Sequence, residues 1–337
     1  MRKFLKNYWL IISLAFTASL LAGIFFIQGK QETKPDEKLL SIPSPKLPEY
    51  QVRVPLNYND LSENFPEISR SELVYKVEKP SFSDQEAIKI AKNLGFEGQP
   101  EFKNFENKIY YDWADSQKNL SINLTEGQFN FNKNLNLNNN PSVSLPEISQ
   151  INSIIESVLQ EKELLVNKEI NLLIKDKSYL KSFGLEYGVT NNPEEAFAIE
   201  VKLQYELKNI RFLENDITIL IGDKNEILKL EYRSIFKNLQ VLEAYPLKNK
   251  QEIIEGLNSL NSINYFKIIN DYELTAEPQR ISKIDFNKIE LVYVKTETPQ
   301  SYLQPIFFIS GQAVLNDGRT AEVGLYLPAI KDEYLLK

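Results

Sequence analysis

Residues 302–311 read Tyr-Leu-Gln-Pro-Ile-Phe-Phe-Ile-Ser-Gly and belong to the most distinctive stretch of this 337-residue chain. The stretch runs on to Leu315 and is followed by Asn316-Asp317-Gly318, where Asp-Gly tolerates the positive φ of a tight hairpin. A second apolar run follows at residues 320–327. The pattern predicts two antiparallel strands, at 305–315 and 320–327.

Further strands are predicted upstream wherever apolar or alternating runs are bounded by turn residues. They fall at 108–113, 120–124, 128–131, 196–207, on both sides of the turn at 222–225 between 216 and 236, and at 289–295.

Three helix starts precede these groups of strands, each a polar cap residue followed three positions later by Glu. An apolar face at helical spacing follows each start, so the sequence predicts three units in which a helix packs on an antiparallel sheet. The predicted fold class is therefore α+β, with α+β domains at 50–143 and 144–245 and a third unit at 246–337 that packs with the second. The cap pairs are Ser83 with Glu86, Ser144 with Glu147, and Asn249 with Glu252.

The N-terminal region carries an uncharged run at residues 8–27. At 1.5 Å per residue such a run reaches roughly 30 Å, the thickness of a bilayer core, and it predicts a single transmembrane helix. Basic residues in 1–7 place that end in the cytoplasm and the C-terminal domains outside, while the Pro-rich residues 28–49 form a stem. A cleaved signal peptide is the alternative, although its apolar core is usually shorter, about 7–15 residues.

Small residues recur every fourth position within this run, at Ala15, Ser19 and Gly23. Such spacing allows two membrane helices to approach closely, so these residues form a candidate helix-packing face for a homodimer. Small residues are also common in membrane helices that do not pair.

The absence of Cys and His excludes several classes of chemistry. Catalytic triads that use His or Cys, ordinary zinc sites and thiol redox chemistry all need these side chains. No Gly-rich phosphate loop is present either, so the sequence predicts no cofactor, no metal and no enzymatic activity. The net charge is −7, and the three basic residues in 1–7 contribute +3, so the remainder carries −7 − 3 = −10. Such an acidic ectodomain argues against nucleic acid as a partner.

Two weaker catalytic patterns remain. Ser-x-x-Lys occurs at Ser178/Lys181 and at Ser234/Lys237, the spacing at which a nucleophile and a base share one helical turn. Carboxylate pairs could hydrolyse glycosidic bonds, and Asp112 and Asp115 flank Trp113, on which a sugar could stack. A Trp in a strand after two Tyr residues is more often part of the core.

The C-terminal stretch, which ends in Tyr326-Leu327-Pro328-Ala329, resembles the C-terminal domain of the extracytoplasmic regulators YycH and YycI. More loosely, residues 83–131 are similar to PepSY-type modules, in which a helix precedes a small antiparallel sheet. The resemblance implies a non-enzymatic protein that acts by contacts with a membrane sensor kinase or with another envelope component. Residues 162–195 have no counterpart in it.

Three functions follow as hypotheses. The first is an anchored extracytoplasmic interaction or regulatory module whose partner is another membrane or envelope protein. The second is a binding protein for peptidoglycan, glycan or peptide. The third is a carboxylate-based hydrolase, which requires two acidic groups converging in a cleft.

Overall fold

Strands rather than helices make up most of the fold, and the predicted α+β class is therefore wrong. In a computed structural model, 53% of the described residues are in strands and 18% in helices. Many of the strands lie where the sequence predicts none. Some of them are only two residues long, and charged residues interrupt the alternation of others. The structure describes residues 39–47, 56–63, 65–134, 144–161, 170–184, 186–213, 217–259, 266–268, 281–294 and 300–336.

The secondary structure is as follows in the described residues. The α-helices are α1 (Asn59–Glu63), α2 (Asp84–Asn93), α3 (Ile151–Glu161) and α4 (Lys250–Ser259). The first ten strands are β1 (Ile42–Pro43), β2 (Leu56–Asn57), β3 (Ser71–Val77), β4 (Glu101–Phe105), β5 (Lys108–Ala114), β6 (Lys118–Asn123), β7 (Gln128–Lys133), β8 (Asn171–Phe183), β9 (Glu186–Thr190) and β10 (Ala198–Leu207). The other ten are β11 (Ile210–Arg211), β12 (Ile217–Ile221), β13 (Ile227–Arg233), β14 (Leu239–Pro246), β15 (Phe266–Ile268), β16 (Ile281–Tyr293), β17 (Tyr302–Leu303), β18 (Pro305–Leu315), β19 (Thr320–Pro328) and β20 (Leu335–Leu336).

The predicted transmembrane helix is not supported. Residues 8–27, together with the candidate packing face at Ala15, Ser19 and Gly23, lie outside the described residues. Among the residues that are described, no helix has both the length and the apolar character needed to span a bilayer.

A ten-stranded sheet dominates the architecture, in the order β4-β5-β6-β7-β13-β12-β10-β8-β9, with β11 paired to β10. The pairing of β7 with β13 is antiparallel and places Phe131 opposite Leu230. The boundary predicted at 143/144 therefore falls between two parts of one sheet. Residues 41–337 form one compact unit.

Three smaller sheets complete the fold. One has the order β14-β3-β17, and another has the order β15-β19-β18-β16-β2. The third is the parallel pair β1–β20, in which Ile42 lies opposite Leu335. Residues 41–47, inside the predicted stem, are thus part of the folded body.

The largest apolar core lies between one face of the ten-stranded sheet and helices α2 and α3. From α3, Ile151, Ile155 and Leu159 enter this core at a spacing of four residues. From the sheet, alternate residues of β10 and β12, such as Val201 and Ile219, point to the same side. The sheet's other face carries charged residues, such as Glu200 and Lys202, and a small buried cluster around Leu220.

Two of the three predicted helix caps are present. The Ser83–Glu86 capping box is confirmed at the start of α2. At the start of α4, Glu252 N donates to Asn249 Oδ1 at 3.0 Å. The second cap is wrong, since Glu147 makes no side-chain capping bond and its carboxylate accepts from Ser149 Oγ instead. The chain there forms one 3₁₀ turn before α3 begins at Ile151.

The C-terminal hairpin is confirmed as β18 and β19, with bounds within one residue of the prediction. Gly318 has φ +86°, and Leu315 N donates to Arg319 O at 2.9 Å to close the turn. The third strand, β16, begins eight positions before the predicted start, at Ile281.

Candidate functional site

A cavity of about 380 Å³ lies where the ten-stranded sheet, the β14-β3-β17 sheet and the β16–β18 strands meet. We call it the junction cavity. Its walls come from the segment after β1, the end of β3, the turn before β7, the chain after β13, the end of β16, and β17 with its flanks. The lining residues are Pro45, Leu47, Val77, Glu78, Lys79, Pro80, Glu126, Gln128, Ile235, Phe236, Val294, Gln300, Tyr302, Leu303, Gln304 and Ile306.

One wall of the junction cavity is held by two glutamine side chains. Gln304 Nε2 donates to Pro43 O at 2.6 Å, and Gln300 Nε2 donates to Lys46 O at 3.0 Å. Proline-rich segments leave many backbone carbonyls without intrachain partners, and these two bonds satisfy two of them. Pro45, which lies between the two bonded positions, and Leu47, which follows them, are both buried.

Gly127 fixes the opposite wall. Its φ is +61°, a backbone angle that L-residues other than glycine rarely adopt. A Cβ there would lie 3.0 Å from Ser81 N and 3.2 Å from the Pro80 carbonyl carbon, so the turn packs directly on the chain that follows β3. The Gly127 carbonyl also accepts from Ser234 N at 3.0 Å, which ties three segments of the cavity together.

Two carboxylates line the junction cavity, and both have structural partners. Glu126 forms an ion pair with Lys108 at 2.8 Å and accepts from Asn123 Nδ2 at 3.1 Å. Its hydrogen bond raises the pKa of Lys108. Glu78 accepts from Asn238 Nδ2 at 2.7 Å. These bonds hold the turn before β7 and the end of β3 in place.

Four other polar groups of the junction cavity have no hydrogen-bond or ion-pair partner in the part of the chain that the structure describes. They are the Lys79 ammonium, the Gln128 amide, the Tyr302 hydroxyl and Gln304 Oε1. Gln304 is only 5% exposed, so its unpaired carbonyl oxygen carries a desolvation cost. The other three groups can exchange bonds to water for bonds to a ligand.

A buried tyrosine pair lies beside the cavity wall, one residue from Val294. Tyr293 Oη donates to Leu73 O at 3.1 Å, and the Tyr293 and Tyr75 rings pack edge to face at 6.2 Å. Burial raises the pKa of Tyr293 far above its usual range, so its hydroxyl stays neutral. The pair joins β16 to β3 and is structural.

The predicted sugar-stacking position is part of the core. Trp113 is 5% exposed and packs against Tyr111 with ring centroids 6.1 Å apart. Asp112 accepts from Lys103 Nζ at 2.8 Å. Asp115 accepts from the backbone N–H groups of Gln117 and Lys118, and these bonds lower its pKa. A sugar could not reach the face of the buried indole.

Neither Ser-x-x-Lys pair forms a dyad. Ser178 and Lys181 lie on strand β8, where residues three apart point to opposite faces, and Lys181 is bound to Glu195 at 2.8 Å. Ser234 is buried and its hydroxyl donates to Phe236 O at 3.2 Å. Within the described ranges, no group of three acidic side chains is placed to hold a metal ion.

Comparison with known proteins gives neither a family nor a function. No family model matches the sequence, and no curated protein matches it either. The crystal structure of an uncharacterized protein from Eubacterium rectale is similar, with a TM-score of 0.47 and 12% sequence identity, over 81% of this chain and 86% of that chain. These comparisons give no support to the predicted resemblance to YycH, YycI and PepSY-type modules.

Proposed function

We propose that this protein is a non-enzymatic binding module that acts by protein contact and receives an extended peptide segment in the junction cavity. The observation that carries the proposal is the set of four cavity groups that have no partner among the described residues, together with an apolar floor of Val77, Ile235 and Leu303. The volume of about 380 Å³ is within the roughly 300–1,000 Å³ typical of ligand pockets.

A peptide matches these groups chemically. Its backbone alternates N–H donors and C=O acceptors, which an amide such as Gln128 and a hydroxyl such as Tyr302 can bind from either side. An acidic side chain or a terminal carboxylate of the peptide would bind the ammonium of Lys79. Apolar side chains of the peptide would cover the floor, where each buried methylene contributes about 0.8 kcal/mol.

A glycan fits less well. Sugar sites rely on exposed aromatic faces, whereas Trp113 is buried and Tyr302 and Phe236 are the only aromatic residues in the lining. Phe236 is itself only 2% exposed. Among the envelope ligands that the sequence suggests, a peptide is therefore the one that fits the cavity best.

Selection of displayed random peptides against the purified full-length protein tests this function. Enriched peptides should lose about five- to tenfold in affinity for Gln128→Ala, because one hydrogen bond is worth roughly 1 kcal/mol. Lys79→Glu should weaken peptides that carry a carboxylate. Gln240→Ala is the matched control, since Gln240 is exposed on β14 and does not line the junction cavity. Enrichment of no peptide, or equal binding to Gln128→Ala and the wild type, would reject the proposal.

A carboxylate-based hydrolase is the second candidate, because Glu78 and Glu126 line the same cavity. Their bonds to Asn238, Asn123 and Lys108 argue for a structural role. Release of reducing ends from purified peptidoglycan decides between the two. If the wild type releases reducing ends and Glu78→Gln does not, the protein is a hydrolase and the binding proposal is rejected.

The partner remains the membrane or envelope protein that the sequence predicts, and the extracytoplasmic location likewise stays a prediction. Crosslinking in cells with the full-length protein, followed by mass spectrometry, identifies the partner. A partner that crosslinks to the wild type and to Gln240→Ala, but not to Gln128→Ala, binds at the junction cavity.

A further inference from the structure

Strand β4 forms one edge of the ten-stranded sheet and is exposed along its whole length. Phe102 is 61% and Phe105 64% exposed, and the strand also carries the charged residues Glu101 and Lys103. Charged residues at a sheet edge usually discourage pairing, so this edge admits a partner strand only where the charges are complementary. The unpaired N–H and C=O groups of an edge strand are a template for such a strand. None of its residues lines the junction cavity, so this surface is independent of the proposed peptide site.

The turn after β4 shows which backbone groups are open. Glu106 and Asn107 have φ values of 50° and 63°, which is a two-residue turn of the type I′ kind, and Phe105 and Lys108 flank it as a hydrogen-bonded pair. Pairs alternate along an antiparallel ladder, so Phe102 and Asn104 direct their N–H and C=O groups away from β5.

The side chains on the core side of this edge form an aromatic row. The Trp113 and Tyr111 ring centroids lie 6.1 Å apart, and the Tyr111 and Phe102 centroids lie 6.2 Å apart, both edge to face. Trp113 is in the core and Phe102 is the exposed end of the row. The row of aromatic rings thus reaches the edge of the sheet at Phe102.

We propose that β4 pairs antiparallel with β4 of a second copy of this chain, with the two-fold axis at Phe102. This register pairs Phe102 with Phe102 of the second copy and joins the two aromatic rows on one face. On the other face it places Glu101 opposite Lys103 of the second copy, twice, and opposite charges across strands are favourable. Lys103 already contacts Asp112 at 2.8 Å and Glu101 at 3.4 Å in its own chain, so these contacts would extend an existing charge network. Because the pairing is isologous, it closes as a dimer and does not propagate.

Other two-fold registers at this edge are worse. An axis at Lys103 sets the two lysines opposite each other, which is destabilising. An axis at Asn104 pairs Phe102 with Glu106, whose positive φ takes it out of the strand. Strand β9, at the far edge of the sheet, has exposed Val189 and Tyr187 but carries only one charged residue, Glu186, so no opposite charges would meet there.

Single cysteines test the register directly, because the chain has none of its own. Under mild oxidation Phe102→Cys should give a disulfide-linked dimer, since Cα atoms in such a pair lie about 5.5 Å apart, within disulfide range. Asn104→Cys is the matched control on the same exposed strand. Its two copies would lie four positions apart, about 13 Å, and should not link.

Analytical ultracentrifugation of the full-length protein in mild detergent provides the second measurement. The wild type should dimerise with increasing concentration, and Phe102→Lys should shift the equilibrium at least tenfold toward the monomer. Val189→Lys places the same change on the opposite edge and should behave as the wild type. Equal crosslinking at positions 102 and 104, or a wild type and Phe102→Lys of the same mass at every concentration, would overturn the proposal.

Discussion

Gly311→Ala should destabilise the protein strongly. Gly311 is buried in β18 opposite Phe286, next to the irregularity between Phe286 and Lys288 in β16. A Cβ on Gly311 would lie 2.0 Å from Asp285 O and 2.7 Å from Phe286 Cα, both backbone atoms that no rotamer change can move. A relaxed C···O contact is about 3.5 Å, so one strand must shift by about 1.5 Å.

The cost follows from that shift. Overpacking typically costs 1–3 kcal/mol, and because the obstacle is the backbone of the longest antiparallel pair, we expect about 3 kcal/mol. At about 2 °C per kcal/mol for a large domain, the melting temperature should fall by roughly 6 °C. Differential scanning calorimetry and urea unfolding followed by circular dichroism both measure this change.

Gly256→Ala is the matched control and should have the opposite sign. Gly256 lies in α4, where a Cβ would meet only the Leu327 methyl groups at 3.8 Å, an ordinary contact. Ala is favoured over Gly in a helix interior by roughly 0.5–1 kcal/mol, so the melting temperature should rise by about 1–2 °C. An unchanged melting temperature for Gly311→Ala would show that the β16–β18 register is not as described.

Two further predictions concern a helix cap and an ion pair. Ser83→Ala should lower the free energy of unfolding by about 1 kcal/mol, whereas Ser83→Asp, which can still cap α2, and Ser116→Ala, in a loop, should change it little in urea titrations. Burial raises the pKa of Glu290, but hydrogen bonds and charge attraction from Lys288 and Arg211 outweigh burial and lower the pKa below 4.5. The ionised carboxylate therefore stabilises the fold above the unfolded pKa, and this stabilisation is lost as the pH falls through the folded pKa. On acidification to about pH 3 the free energy of unfolding of the wild type should therefore fall by up to about 1 kcal/mol more than that of Glu290→Gln. Glu97→Gln, at an exposed position, is the control and should follow the wild type. A pH dependence of Glu290→Gln identical to that of the wild type would contradict the assignment.

Local signals in the sequence predict the elements whose causes are local. The hairpin of β18 and β19 depends on Asp317-Gly318 between apolar runs, and the α2 cap depends on Ser83 and Glu86, all within a few residues. The cap predicted at Ser144 does not form, because Ser144 is engaged by a residue distant in sequence. Its backbone N–H donates to Asp223 Oδ1 at 3.2 Å. Tertiary context overrides the local pattern there.

Strand β8 shows why the fold class was predicted incorrectly. Its centre reads Lys175-Asp176-Lys177, which breaks the alternation, yet β8 forms a long antiparallel pair with β10. The junction cavity could not be predicted from sequence either. Its polar groups without a partner in the described part of the chain lie as far apart in sequence as Lys79 and Gln304, and only the meeting of separate sheets brings them together.

The short pairing of β1 with β20 also determines how tension would enter the molecule. A pull on the chain at Ser41 loads two parallel residue pairs first, then the bonds from Gln304 to Pro43 and from Gln300 to Lys46. Pro45 and Leu47, which form a wall of the junction cavity, are the next to leave. The rest of the body is held by sheets of three, five and ten strands. Stretching from that side would therefore dismantle the cavity long before it unfolded the core.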